Sequence, residues 1–158
     1  LAYPVFGQGQ SKAFTDPEQA RIWVREIKAK GADGLKCFGY RPDILQAALE
    51  ETKKQGLRSA CHHAQIDVAR VNVVNTARWG LTTMEHWYGL PEALFDGQTV
   101  QNYPADYNYQ NEQDRFAAAG ELWKQAAAPG SERWNKVRDE LIALNGTYNK
   151  LVMMQSFE

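Results

Sequence analysis

Apolar residues recur at helical spacing in three successive stretches, and each stretch ends in a glycine followed by a short apolar run. Ala20, Trp23, Val24 and Ile27 form the first stripe, Ile44, Leu45, Ala48 and Leu49 the second, and Val68, Val71, Val74 and Ala77 the third. Gly31, Gly56 and Gly80 close them. Glycine takes the left-handed conformation that terminates a helix without a Cβ penalty. The runs that follow are too short and too apolar for anything but buried strands. The pattern predicts strand, helix, strand, helix, strand, the alternation of a parallel sheet with helices outside it.

The helix starts can also be read. Asp16-Pro17-Glu18-Gln19 supplies an N-cap carboxylate, a proline at the first helical position and a glutamine three residues past the cap. Pro42-Asp43 opens the second helix, and the third is expected to start near Asp67. A chemically capable side chain lies five or six residues past each glycine: Lys36, His62 and His86. Each is therefore expected at the C-terminal end of its strand, where parallel barrels assemble their chemistry.

Beyond His86 the pattern changes. Residues 90–130 are polar and aromatic, with Tyr103, Tyr107, Tyr109 and Phe116 among Asn, Gln and Asp. Such a stretch is either a lid over the strand ends or a packed surface excursion. A helix is expected from Gln110 to Ala128, broken by Pro129-Gly130. Ser131 can cap another through Trp134, Val137, Leu141 and Leu144. Leu151 to Phe157 reads as a fourth strand.

The composition, 44% hydrophobic and 23% charged with formal net charge -1, fits a soluble α/β domain and changes the picture mainly by exclusion. No basic stripe is present to bind nucleic acid, and no apolar run nears the roughly 20 residues that span a bilayer. The compartment is expected to be the cytoplasm or, if a signal peptide preceded Leu1, the periplasm or the exterior. Cys37 and Cys61 fall within the predicted strands and read as small core residues. At 158 residues the chain is short of the roughly 250 of a complete eight-unit barrel, so a piece of one is expected.

Three motifs, Gly34-Leu35-Lys36-Cys37-Phe38-Gly39, Ser59-Ala60-Cys61-His62-His63 and Met84-Glu85-His86-Trp87-Tyr88-Gly89, resemble strands four, five and six of the amidohydrolase superfamily, in its branch similar to imidazolonepropionase and the metal-dependent prolidases. The resemblance implies an incomplete (β/α)8 TIM barrel, about strands 4 to 7, as one unit over residues 1–158. In that family the lysine is carbamylated and bridges two divalent metals, and the two histidines bind the second metal. By position these roles fall on Lys36, His62 and His86, with zinc the expected ion. Alignment without a gap favours His62 over His63 as the ligand, which would leave His63 as a packing residue or a substrate contact, with Tyr88 a second candidate contact. The family's His-x-His pair on strand one and its aspartate on strand eight have no counterpart in the sequence.

The residue types suit that chemistry. Neutral imidazoles bind a borderline-soft cation and leave a position where water is acidified towards neutrality. A lysine ammonium cannot ligate, whereas its carbamate is in effect a long carboxylate. Glu85 reads as a salt-bridge or supporting group. The expected activity is hydrolysis of an amide, peptide-like or cyclic amide C–N bond by a metal-activated hydroxide, on a small-molecule or peptide-like substrate, by the intact parent more than by this chain alone. Self-association is left open. Two rival readings stand: a Schiff-base aldolase using Lys36, which leaves both histidines unused, and a non-catalytic structural or binding piece.

Overall fold

The computed structural model describes residues 1–7, 13–96, 100, 106–108 and 110–144. Helix α1 (Pro17–Ala29) leads into strand β1 (Gly34–Cys37), then α2 (Pro42–Lys54), β2 (Arg58–His62), α3 (Val73–Arg78) and β3 (Thr83–Glu85). Three further helices follow: α4 (Leu90–Ala93), α5 (Glu112–Gln125) and α6 (Glu132–Ala143). The protein is α/β, with a parallel sheet in the order β1-β2-β3.

Helix α1 starts as its sequence specifies. The Asp16 carboxylate accepts from the backbone N–H of Glu18 and Gln19, with Pro17 at the first position. The third helix starts later than its apolar stripe suggests. Asn72, not Asp67, is its cap, and Asn72 and Asn75 satisfy each other's backbone in a capping box. Residues 65–70 instead form turns in which the Asp67 carbonyl accepts from Arg70 N and Val71 N. Val68 consequently packs with Tyr88 and Ala119 and not on the α3 stripe.

Strand alternation sorts the sheet into two faces. Leu35, Cys37, Ser59, Cys61 and Met84 are buried, and α1 and α2 pack over the β1 and β2 part of this face through Val24, Ile27, Ile44, Leu45 and Leu49. Lys36, Ala60, His62, Thr83 and Glu85 alternate with them on the other face and are only half-buried. Parallel sheets are normally covered on both faces. Here the second face carries the chemistry-bearing side chains.

Strand β1 is not an open edge of the sheet. Residues 2–6 run parallel alongside it: Lys36 N donates to the Pro4 carbonyl at 3.0 Å, and Phe6 N donates to the Lys36 carbonyl at 2.7 Å. Tyr3 lies so close that a Cβ on Gly34 would sit 2.5 Å from its ring and 2.5 Å from the Arg58 carbonyl oxygen, so glycine is required there. Phe6 joins Phe14, Trp23 and Tyr40 in an aromatic cluster that anchors the segment. The expected strand from Leu151 to Phe157 lies outside the described residues, as do Tyr103 and Tyr109.

Candidate functional site

Register brings the C-terminal ends of the strands together. Lys36 is level with Ala60, and His62, the last residue of β2, is level with Glu85. His86 is the first residue past β3. Its φ of 60° makes it the one non-glycine residue with positive φ among those described. Histidine is among the residues that tolerate this region, yet the conformation costs on the order of 1–3 kcal/mol and collects at functional positions. The kink turns His86 toward β2: the rings of His62 and His86 meet edge to face, centroids 4.7 Å apart and planes at 70°.

Aromatic rings enclose the pair. Tyr88 lies 5.2 Å from His62 and 6.1 Å from His86 between centroids, and Phe38 lies 5.5 Å from His62. Phe116 of α5 stacks on Tyr88 with ring planes 9° apart, at 6.5 Å, and on Trp87 at 6.1 Å. Gln65 Oε1 is 3.3 Å from His62 Nε2. Burial raises the Tyr88 phenol above its ordinary pKa, with the nearby Arg115 and Gln65 side chains acting against it.

Lys36 borders this group. Its Nζ is 3.4 Å from Glu85 Oε2 and 5.3 Å from the Phe38 ring centroid. Glu85 is thus the ion-pair partner of Lys36. Both imidazoles feel the lysine's charge, but desolvation is the larger influence: it holds His62 down to about 4, with His86 and Lys36 adding to the effect and Gln65 opposing it. His86 is lowered as well, first by burial and then by Lys36, with Glu85 and Glu112 acting against. At neutral pH both rings are therefore uncharged, the state a metal ligand requires.

His63 points the other way. It is 1% exposed on the buried face, where Nε2 lies 2.8 Å from Thr76 Oγ1, and burial holds it down to about 3. Of its two expected roles, that position fits packing. Tyr88 is also 1% exposed and forms a wall against His62. Among the described residues no three His, Cys, Asp or Glu side chains come together as a metal-binding group.

Several neighbours escape a reading by strand register. Phe38 follows β1 directly, whereas Gln65 sits in a turn and Arg115 and Phe116 arrive from α5; nothing in local periodicity links these to His62. Among the described residues no helix is long and apolar enough to cross a membrane.

No family model matches the chain, and no curated protein matches it. Among solved structures, one described as a Xaa-Pro dipeptidase with bound methionine in the active site is similar at 19% identity and a TM-score of 0.35, over 54% of this chain and 28% of that one. The chain thus spans under a third of the length of that protein.

Proposed function

We propose that the chain is the central part of a (β/α)8 barrel, about strands 4 to 7, and that Lys36, His62 and His86 belong to the divalent-metal site of a hydrolase cleaving C–N bonds. The observation that carries this reading is the contact between two neutral imidazoles at the ends of adjacent parallel strands, ring centroids 4.7 Å apart and half-buried on the face away from α1 and α2. Costly backbone conformations and depressed histidine pKa values both collect at functional sites.

The donor set fits in part. His62 and His86 suit zinc or a similar ion, and Lys36 would complete the set as its carbamate. Carbamylation replaces the ammonium with an anion, so Glu85 would have to release Lys36 and turn away. A bound divalent ion would supply Lewis-acid polarisation of a carbonyl and acidify water. The chain's own residues would do the rest: Gln65 fixes the ring of His62, Tyr88 and Phe116 exclude water from one side, and Phe38 offers an apolar edge to the substrate.

The test is metal content and hydrolysis in the intact polypeptide that carries this segment. Dipeptides, N-acyl amino acids and cyclic amides would be assayed with and without a chelator. Loss of hydrolysis on chelation, restored by zinc and abolished by His62→Ala or His86→Ala, is the expected result. Hydrolysis indifferent to the chelator and to both substitutions would refute the reading.

A further inference from the structure

We propose that a buried water molecule sits beside His63 and bridges its Nδ1 to Asp67. His63 is 1% exposed, and two of its edges are accounted for. Nε2 is engaged by Thr76 Oγ1 at 2.8 Å. The Cγ and Cδ2 edge faces the backbone of Gly89, where an added Cβ would lie 3.2 and 3.3 Å from those atoms. The remaining edge carries Nδ1, a buried nitrogen that no protein group hydrogen-bonds.

A small cavity of about 10 Å³ adjoins that ring, lined by Tyr40, Cys61, His63, Ala64 and Asp67 among others. This is the room one water takes, and a buried polar group without a partner costs roughly 1–3 kcal/mol. Water serves either tautomer of His63. If the Thr76 hydroxyl donates to Nε2, then Nδ1 carries the proton and the water accepts it. If Thr76 donates instead to the Val73 carbonyl, 3.2 Å away, then Nδ1 is bare and the water donates to it. In both cases a water hydrogen is left for an acceptor, and Asp67, whose carboxylate keeps acceptor capacity beyond the bond its Oδ1 takes from Arg70, is the carboxylate residue in the cavity wall.

The placement has a consequence for the histidine pair. Asp67 organises the turn of residues 65–70: its N–H donates to the Ala64 carbonyl at 2.8 Å, and its carbonyl accepts from Arg70 N and Val71 N. Gln65, at the start of this turn, contacts His62. A water joining Asp67 to the end of β2 therefore holds the turn down and keeps Gln65 against His62. Asp67 acts here as a positioning residue, independent of whether the proposed hydrolysis occurs.

The test is a crystal structure of the chain at a resolution that places ordered waters, with nitrogen-15 spectra of the His63 ring and amide hydrogen exchange. The expected result is an ordered water within hydrogen-bond distance of Nδ1 and Asp67, and exchange at Arg70 and Val71 about tenfold faster in Asp67→Ala than in Asp67→Asn, which keeps an acceptor oxygen. A dry cavity, a metal ion in it, or direct contact of Nδ1 with the Asp67 carboxylate or the Cys61 thiol would overturn the proposal. Should Asp67→Ala fail to fold, the wild-type density and ring spectra decide alone.

Discussion

His62 and His86 touch ring to ring at 4.7 Å only because β2 and β3 are parallel neighbours and the backbone reverses its handedness at His86. This arrangement separates strain from packing in a way that substitution can read. Glycine in place of His86 relieves the positive φ, whereas valine worsens it, because β-branched residues fit that region worst. His86→Gly should hold thermal stability near that of the wild type, and His86→Val should lose about 1–3 kcal/mol. Equal losses in the two variants would show that the ring's contacts, and not its backbone, dominate.

A pH dependence follows from the depressed histidines. Their folded pKa lies below the unfolded value of 6.5: about 4 for His62 and about 3 for His63. In that interval the unfolded chain binds more protons than the folded one, so stability rises with pH. The protein should be fully stable above about pH 6.5 and lose stability as pH falls toward 4 and below, each tenfold difference in proton affinity being worth about 1.4 kcal/mol. Melting temperatures of the wild type and His62→Gln across pH 7 to 4 check this. The Gln variant should show a shallower decline, and a parallel one would remove His62 from the account.

The strand ends were legible in the sequence, and the walls of the site were not. Gly31, Gly56 and Gly80 mark helix ends by left-handed φ values of 87, 68 and 95°, and counting onward from them reaches Lys36, His62 and His86 at one end of the sheet. Such register is local and survives any tertiary arrangement. By contrast, Val68 and Val71 continue a helical stripe that points to an earlier start for α3, while the Asn72–Asn75 capping box, a stronger local signal, sets the boundary. The segment of residues 2–6 that covers β1 is not legible as a strand, because its Pro4 and short length argue against one. Arg115 and Phe116 depend on how a distant helix docks, which periodicity does not encode.

Lys36 and Glu85 make a second discriminating pair. Their side chains are 21% and 27% exposed and 3.4 Å apart, so the ion pair is partly screened and should stabilise the fold by no more than about 1 kcal/mol. Glu85→Gln and Lys36→Met should each leave the fold nearly intact. Under the proposed function their effects on metal content diverge. Lys36→Met should remove bound divalent ion and activity from the intact enzyme, while Glu85→Gln, which frees the lysine, should retain the ion. Metal analysis of both proteins decides, and tight stoichiometric metal with full activity in Lys36→Met would return Lys36 to a purely structural role.

Gly89 is the hinge on which the loop bearing His86, Trp87 and Tyr88 turns back. Its φ is 87°, and a Cβ there would press on His63 Cγ at 3.2 Å and on the Asn72 Cα at 3.4 Å. Glu92 accepts from Gly89 N at 2.8 Å, which fixes the turn from the other side. Gly89→Ala should therefore cost more than the usual glycine-to-alanine change, on the order of 2 kcal/mol, combining left-handed strain with a crowded core histidine. Denaturant titration of Gly89→Ala against Gly130→Ala checks it, since Gly130 shares the positive φ but has open space around it. Similar losses in both would assign the whole effect to φ.

Helix α5 bears on the proposed site through Phe116. Its ring stacks on Tyr88, which in turn lies against His62, so the first turns of α5 sit beside the strand ends and not beneath the sheet. We expect this helix to limit what reaches the histidine pair. Phe116→Ala removes the ring that closes one side of Tyr88, at a stability cost of about 1–2 kcal/mol for a half-buried aromatic. Under the proposed function, the variant of the intact polypeptide should widen the range of accepted substrates and raise KM several-fold while metal content stays unchanged, because the ring contacts of Phe116 run to Trp87 and Tyr88. A matched profile of substrates for wild type and variant is the measurement. An unaltered profile would mean that α5 merely packs the rim, and a loss of metal together with activity would mean that Tyr88 holds the histidines in place and the stacking is structural.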